Sequence, residues 1–233
     1  MQKRWQVFVA LGLLLVLALI PKLIILPKVT KQLRAELQNE FQTDQIEVNL
    51  QAPWGWELLF GRLPGVELTM ENAVVENLTL SHVEIEGEKI RLTPQLLWEN
   101  WEAAYEGAER LEGMVIVTEE DLNILLWEEL NPEQTLHFVI LPTGVALNGE
   151  VSLFNRELDF TLHGRLEILQ ESNVRFVPSN LEIQATRVPP FLLEVLNQNY
   201  DLVVDFNVFP YPVTISEILM EDGQMRIKIG VIP

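Results

Sequence analysis

Residues 156–169 read RELDFTLHGRLEIL, and the alternation in this stretch decides the fold. Leu158, Phe160, Leu162, Leu166 and Ile168 fall on one face of an extended chain, with Asp159, Thr161, His163, Arg165 and Glu167 on the other. Unbroken, such a strand runs roughly 46 Å, against a usual length of five or six residues. The same period of two recurs in Val66, Leu68 and Met70, in Val145, Leu147, Val151 and Leu153, and in Met225, Ile227, Ile229 and Val231. Turn chemistry falls at Pro64-Gly65, Gly87, Pro142-Thr143-Gly144, Asn155, Pro178-Ser179 and Asp222-Gly223. One polar and one apolar face per strand point to an antiparallel sheet, and strands this long coil until the apolar face becomes a trough.

Helices must cover part of that trough. The spacing of Val29, Leu33, Leu37 and Phe41 predicts an amphipathic helix over 28–42. A second is expected over 94–108, with Thr93 as its cap, Pro94 in its first turn and Leu97, Trp101 and Tyr105 along it, and a short one after Pro189-Pro190. A further helix is expected over 118–130, in VTEEDLNILLWEEL at 117–130. Thr118 and Asp121 have the spacing of a capping box, Val117 and Leu122 that of a hydrophobic staple, and Glu119 and Glu120 suit the positive end of the helix dipole. Leu122, Leu125, Leu126 and Leu130 mark its apolar stripe, and Asn131-Pro132 ends it. The three acids therefore read as a helix start rather than a catalytic cluster.

Few helices face much apolar sheet, which leaves room for an apolar ligand; a fully packed core is the alternative. The inward set nominates Leu158, Phe160, Leu162 and Leu166 as trough lining. Trp54 and Trp56, in PWGWELLFGRLPG, project the same way if extended, either into the core or toward a membrane interface or lipid entrance.

Composition narrows the chemistry. With 233 residues, 48% of them hydrophobic, the chain builds one domain or at most two. There is no cysteine, and His82, His137 and His163 are scattered, so no metal site, cofactor or nucleophile motif is visible. The net charge is −18, yet residues 1–42 carry six basic residues against two acids, which leaves 10 basic and 32 acidic beyond them. So acidic a surface argues against nucleic acid as a partner.

Trp5 to Leu26 is apolar but for Gln6 and Pro21-Lys22, and its 22 residues cover roughly 33 Å as a helix, about the hydrocarbon thickness. Residues 1–27 are read as a signal-anchor or transmembrane segment, and 28–233 as an extracytoplasmic domain. Cleavage near Val16-x-Ala18 is the competing possibility.

Several stretches taken together carry a resemblance: LLFGRLPGVELTMENAVVENLTLSHVEIEG, VTEEDLNILL, VRFVPSNLEI and YPVTISEILMEDGQMRIKI, in that order after an N-terminal apolar run and a helix. In this the chain resembles the LmeA-like family of bacterial envelope proteins described as phospholipid-binding. The helix start at 117–126 and the Pro212-to-Ile227 stretch are its most specific pieces. The resemblance implies a non-catalytic phospholipid binder with a tubular lipid-binding fold, in which a coiled sheet wraps a long helix. The expectation is thus an α+β fold: a long, strongly coiled antiparallel sheet around amphipathic helices, preceded by one transmembrane helix. Phospholipid and the cytoplasmic membrane, through residues 5–26, are the expected partners. A structural envelope protein with a dry core is the second reading, and an enzyme the third.

Overall fold

The structure is a computed structural model. It describes residues 2–75, 77–100, 103–129, 131–153, 156–169, 172–184, 186–189, 203–205 and 214–230, with side chains from Leu19 onward apart from 129, 151–156 and 203–205. In chain order the elements are α1 (Gln2–Glu40), β1 (Ile46–Gln51), α2 (Trp56–Leu59), β2 (Arg62–Val75), β3 (Leu78–Leu92), α3 (Pro94–Asn100), β4 (Tyr105–Gly107), β5 (Arg110–Thr118) and α4 (Glu119–Glu129). They continue with β6 (His137–Leu141), β7 (Gly144–Leu153), β8 (Arg156–Leu169), β9 (Asn173–Ile183), β10 (Thr186–Arg187), β11 (Val203–Asp205), β12 (Thr214–Glu221) and β13 (Gln224–Gly230).

The fold is α+β and mostly antiparallel, but the strands form two open sheets rather than one. The first runs β1-β2-β3-β5-β13-β12 with β4 on β3; the second runs β10-β9-β8-β7-β6 with β11 on β9. Neither closes into a barrel among the described residues. Alternation fixes which face a residue takes and says nothing about which strand lies beside it, so one period of two served both sheets.

Two compact units divide the chain: residues 1–70 with 84–112, and residues 71–83 with 113–232. In the first, α1 packs on β1 and buries Val29, Leu37 and Phe41, as the stripe predicted. Helix α1 runs unbroken through Pro21 and Pro27. Each proline removes a donor to the carbonyl four residues back. Here those are the carbonyls of Leu17 and Leu23; separately, Thr30 Oγ1 donates to the carbonyl of Leu26, four residues before it, at 2.8 Å. No helix among the described side chains is long and apolar enough to cross a membrane, and the apolar run from Trp5 to Ala18 lies outside them.

Helix α3 stops at Asn100 instead of reaching 108, because Tyr105 and Gly107 pair with the edge of β3 at Leu92 and Arg91. Thr93, expected as its cap, donates its hydroxyl to Glu106 at 3.0 Å. Pro64-Gly65 and Gly87 do not break their strands: Gly65 pairs with Gln51 inside β2, and Gly87 lies within β3. Extra residues are absorbed elsewhere. Asn72 and Lys89 take φ of 52° and 50°, and the buried positions step by three, from Met70 to Ala73 and from Gly87 to Ile90. Those are β-bulges, each shifting the inward phase by one residue. The turns at Pro142-Thr143 and Asp222-Gly223 form as expected. Asn155, the helix after Pro189-Pro190 and Val231 lie outside the described residues.

Candidate functional site

In the second unit β7 and β8 pair without a slip from Val145↔Gly164 to Leu153↔Arg156. Directly opposed residues share a face, so Leu158, Phe160, Leu162 and Leu166 stand in one row beside Leu147 and Gly149. Across β9 the partners are Ile183 to Phe160, Leu181 to Leu162 and Phe176 to Leu166. The β9 residues change from odd to even numbers because Ser179 is an extra residue between Asn180, paired to His163, and Pro178, paired to Gly164. That bulge sits where the sequence suggested a turn at Pro178-Ser179. It hid Phe176 from a simple count, although Pro178 was the visible signal of an irregularity.

Two glycines lower the floor of this apolar face so that rings can lie on it. A Cβ on Gly164 would collide with the Phe176 ring, and one on Gly149 would meet Leu136 and, at 3.1 Å, the Phe160 ring. The face is dry at its β6 end, where Ile140 and Val145 are 0% and 4% exposed, and at Val174, 4% exposed. The rest is not. Leu147, Leu158, Phe160, Leu162, Leu166, Phe176, Leu181 and Ile183 are only half-buried, and Ile168 is 38% exposed. Among the described residues this apolar face is therefore only partly covered.

Two of the three acids at the start of α4, Asp121 and Glu119, have structural partners. Thr118 Oγ1 accepts from the Asp121 N–H at 3.2 Å, and Asp121 Oδ2 accepts from the Thr118 N–H at 2.8 Å, which is the capping box read from the sequence. Ser81 Oγ adds a bond to the same carboxylate at 2.6 Å. Beyond the cap, Glu119, Asn123, Trp127 and Asn131, at intervals of four, all bond to the free edge of the second sheet. Glu119 Oε2 accepts from the Ile140 N–H at 2.9 Å, and Trp127 Nε1 donates to the Leu136 carbonyl at 2.7 Å. Asn123 meets Phe138, and Asn131 Oδ1 accepts from the Leu136 N–H at 2.8 Å. Among the four leucines of the predicted stripe Leu126 is buried, Leu122 and Leu125 are half-buried, and Leu130 lies outside the described residues. Asp121 and Asn123, polar in the sequence, are buried at 6% and 7% exposure because they serve these bonds.

Trp54 and Trp56 are not part of this face: they belong to the first unit. They flank Gly55, whose φ of 76° caps α2 and whose missing Cβ lets the backbone of Pro21 and Lys22 come close. Neither ring is core, at 60% and 40% exposure. Trp98, in the tryptophan-rich stretch 94–108 for which the sequence suggested no binding role, donates from Nε1 to the Leu59 carbonyl at 3.0 Å and is 64% exposed; Phe60 is 72% exposed. Beside α2 a groove of about 600 Å³ is lined by Glu57, Arg62, Lys89, Arg91 and Glu109, among others. The hydrogen bond that Lys89 donates to the Glu109 carboxylate holds its ammonium above its ordinary pKa. His82 Nδ1 lies 2.7 Å from Glu71 Oε1, and His137 is exposed. No group of side chains able to hold a metal occurs among the described residues.

The sequence model of the LmeA-like phospholipid-binding family matches residues 24–229. The chain belongs to that family. No match was found among curated proteins or among solved structures.

Proposed function

We propose that this member of a phospholipid-binding family holds its lipid by the acyl chains, against the half-open apolar face of β7, β8 and β9. The half-burial of Leu158, Phe160, Leu162 and Leu166, all on one strand face, carries the reading. Burial recovers about 0.8 kcal/mol per methylene, so ten methylenes supply roughly 8 kcal/mol before ordering costs, enough to hold a lipid with no ionic clamp. The family supports a phospholipid as the ligand. We read the protein as a non-catalytic binder, since Asp121 is engaged in capping α4 and Glu119 in bonding the Ile140 N–H of the sheet edge.

The same reading puts residues 5–26 in the cytoplasmic membrane as a retained anchor, with the domain from residue 28 outside the cytoplasm. What supports this is the uncharged run of α1 after Lys3 and Arg4. The dry end of the face, at Ile140 and Val145, favours the second reading, a structural envelope protein with a closed core.

Native mass spectrometry of the full chain, released gently from membranes, separates the two. A bound mass equal to a phospholipid is expected. A folded chain that carries no lipid, and takes none up from vesicles, leaves the structural reading in its place. Carbonate extraction tests the anchor, which should stay with the membrane pellet and keep its original N-terminus.

A further inference from the structure

Nine large hydrophobic side chains are exposed among the described residues, and seven of them lie in one region of the first unit. They are Ile20, Leu23 and Ile24 of α1, Trp54 and Trp56 around Gly55, Phe60 after α2, and Trp98 of α3. Direct contacts join them. Gly55 lies against the backbone of Pro21 and Lys22, α1 touches α2, α2 touches α3, and the Trp98 indole is tied to Leu59. The patch is therefore continuous with the segment of α1 that leads back, within one helix, to the apolar run at 5–18.

Charge divides in the same direction. The first unit holds 10 basic and 14 acidic residues, a net of −4, and the second holds 6 and 20, a net of −14. In the groove beside α2, Arg62, Lys89 and Arg91 outnumber Glu57 and Glu109, against the balance of the whole chain. Arg62 and Arg91 make no ion pair among the described residues. Tryptophan with an apolar body and a polar edge, beside arginines, suits the depth where acyl chains give way to phosphates.

We propose that Trp54, Trp56, Phe60 and Trp98 form a membrane-contact surface that lies in the headgroup layer of a phospholipid bilayer, with Arg62 and Arg91 toward the phosphates. This rests on the reading of residues 5–26 as a bilayer-inserted anchor. It goes beyond an anchor, because it fixes the first unit flat against the lipid instead of leaving it on a free tether.

The chain contains no cysteine, so single reporters can be placed without background. Full-length Phe60→Cys, Trp98→Cys, Glu47→Cys and Leu14→Cys are labelled with an environment-sensitive fluorophore and reconstituted in phosphatidylcholine vesicles. Some vesicles carry lipid spin-labelled near the carbonyl, others near the chain centre. Phe60 and Trp98 are already exposed, so their replacement leaves the core intact. The expected result is several-fold stronger quenching at positions 60 and 98 by the shallow spin label than at the exposed position 47, with position 14 quenched by the deep one. Quenching at 14 but none above the position 47 level at 60 and 98 overturns the contact surface while the anchor stands. Loss of quenching at 14 as well overturns both. Rapid disulfide dimerisation of unlabelled Phe60→Cys in the vesicles, with no lipid quenching, identifies a second copy as the occupant and also overturns the proposal.

Discussion

Asn123 and Phe138 exchange two hydrogen bonds: the Phe138 N–H donates to Oδ1 at 2.6 Å, and Nδ2 donates to the Phe138 carbonyl at 2.9 Å. The asparagine amide thus stands in for a missing strand. β6 is the last strand of its sheet, and an open edge offers unpaired backbone groups to any other chain. The row Glu119, Asn123, Trp127 and Asn131 covers that edge at Ile140 and Phe138 of β6 and at Leu136 just before it. Replacing Asn123 by Ala leaves both Phe138 backbone groups without these partners, at about 1–3 kcal/mol for each group that stays buried. Urea denaturation of Asn123→Ala should show a loss of about 2–4 kcal/mol, and hydrogen exchange should speed at Phe138 before it does on β8.

Thr118→Ala tests the cap itself. It should lower stability by about 0.5–2 kcal/mol and leave the lipid affinity of the folded protein unchanged. Weakened binding at unchanged stability would mean that the 117–121 cluster is a functional site after all.

The aromatic seats on the apolar face rest on glycine. Gly164→Ala drives a methyl into the Phe176 ring, and about 1–3 kcal/mol of overpacking cost is expected. Combining it with Phe176→Leu should restore part of that loss, a coupling that a double-mutant cycle measures directly. Equal and additive losses would show that the two residues do not touch.

Lipid capture is tested on the same strand. Leu162→Asn places a polar group on a half-buried site, so the protein should stay folded while its affinity for long-chain phospholipid drops at least tenfold. Titration with fluorescent lipids at two ionic strengths should show steep dependence on acyl length and little on salt, since the second unit carries a net −14 by count. Binding confined to anionic headgroups, with a steep salt dependence, would sink the acyl-chain mechanism.

The family match fits the way the chain is stitched together. The Glu119 N–H donates to the Gly223 carbonyl at 2.9 Å, the Gly223 N–H to the Ile140 carbonyl at 3.1 Å, and the Ile140 N–H to the Glu119 carboxylate at 2.9 Å. This closed ring joins the helix start at 117–126 to the Asp222-Gly223 turn, which lie in the two most specific of the stretches that carried the resemblance. Gly223 serves it with a φ of 77°, a value that penalises any residue with a Cβ.

By itself the sequence determined what is local. Period-two alternation set β8 at 156–169 and the outward face of each strand, the Thr118-Asp121 spacing set the start of α4, and the stripe at Val29, Leu37 and Phe41 set the buried side of α1. These depend on the geometry of one element, so a few neighbouring residues carry the whole signal. Tertiary structure decided the rest. Two sheets formed where one alternation was visible, because strand pairing depends on partners far away in sequence. The bulge at Ser179 moved Phe176 onto the apolar face, and the edge of β3 took Tyr105 out of a helix. Asp121 and Asn123 went inside, and Trp54, Trp56 and Trp98 stayed outside, against their hydropathy. A side chain's burial follows from what the rest of the fold offers it: a strand edge in need of hydrogen bonds draws polar groups in, and a surface that no other element covers leaves aromatics out.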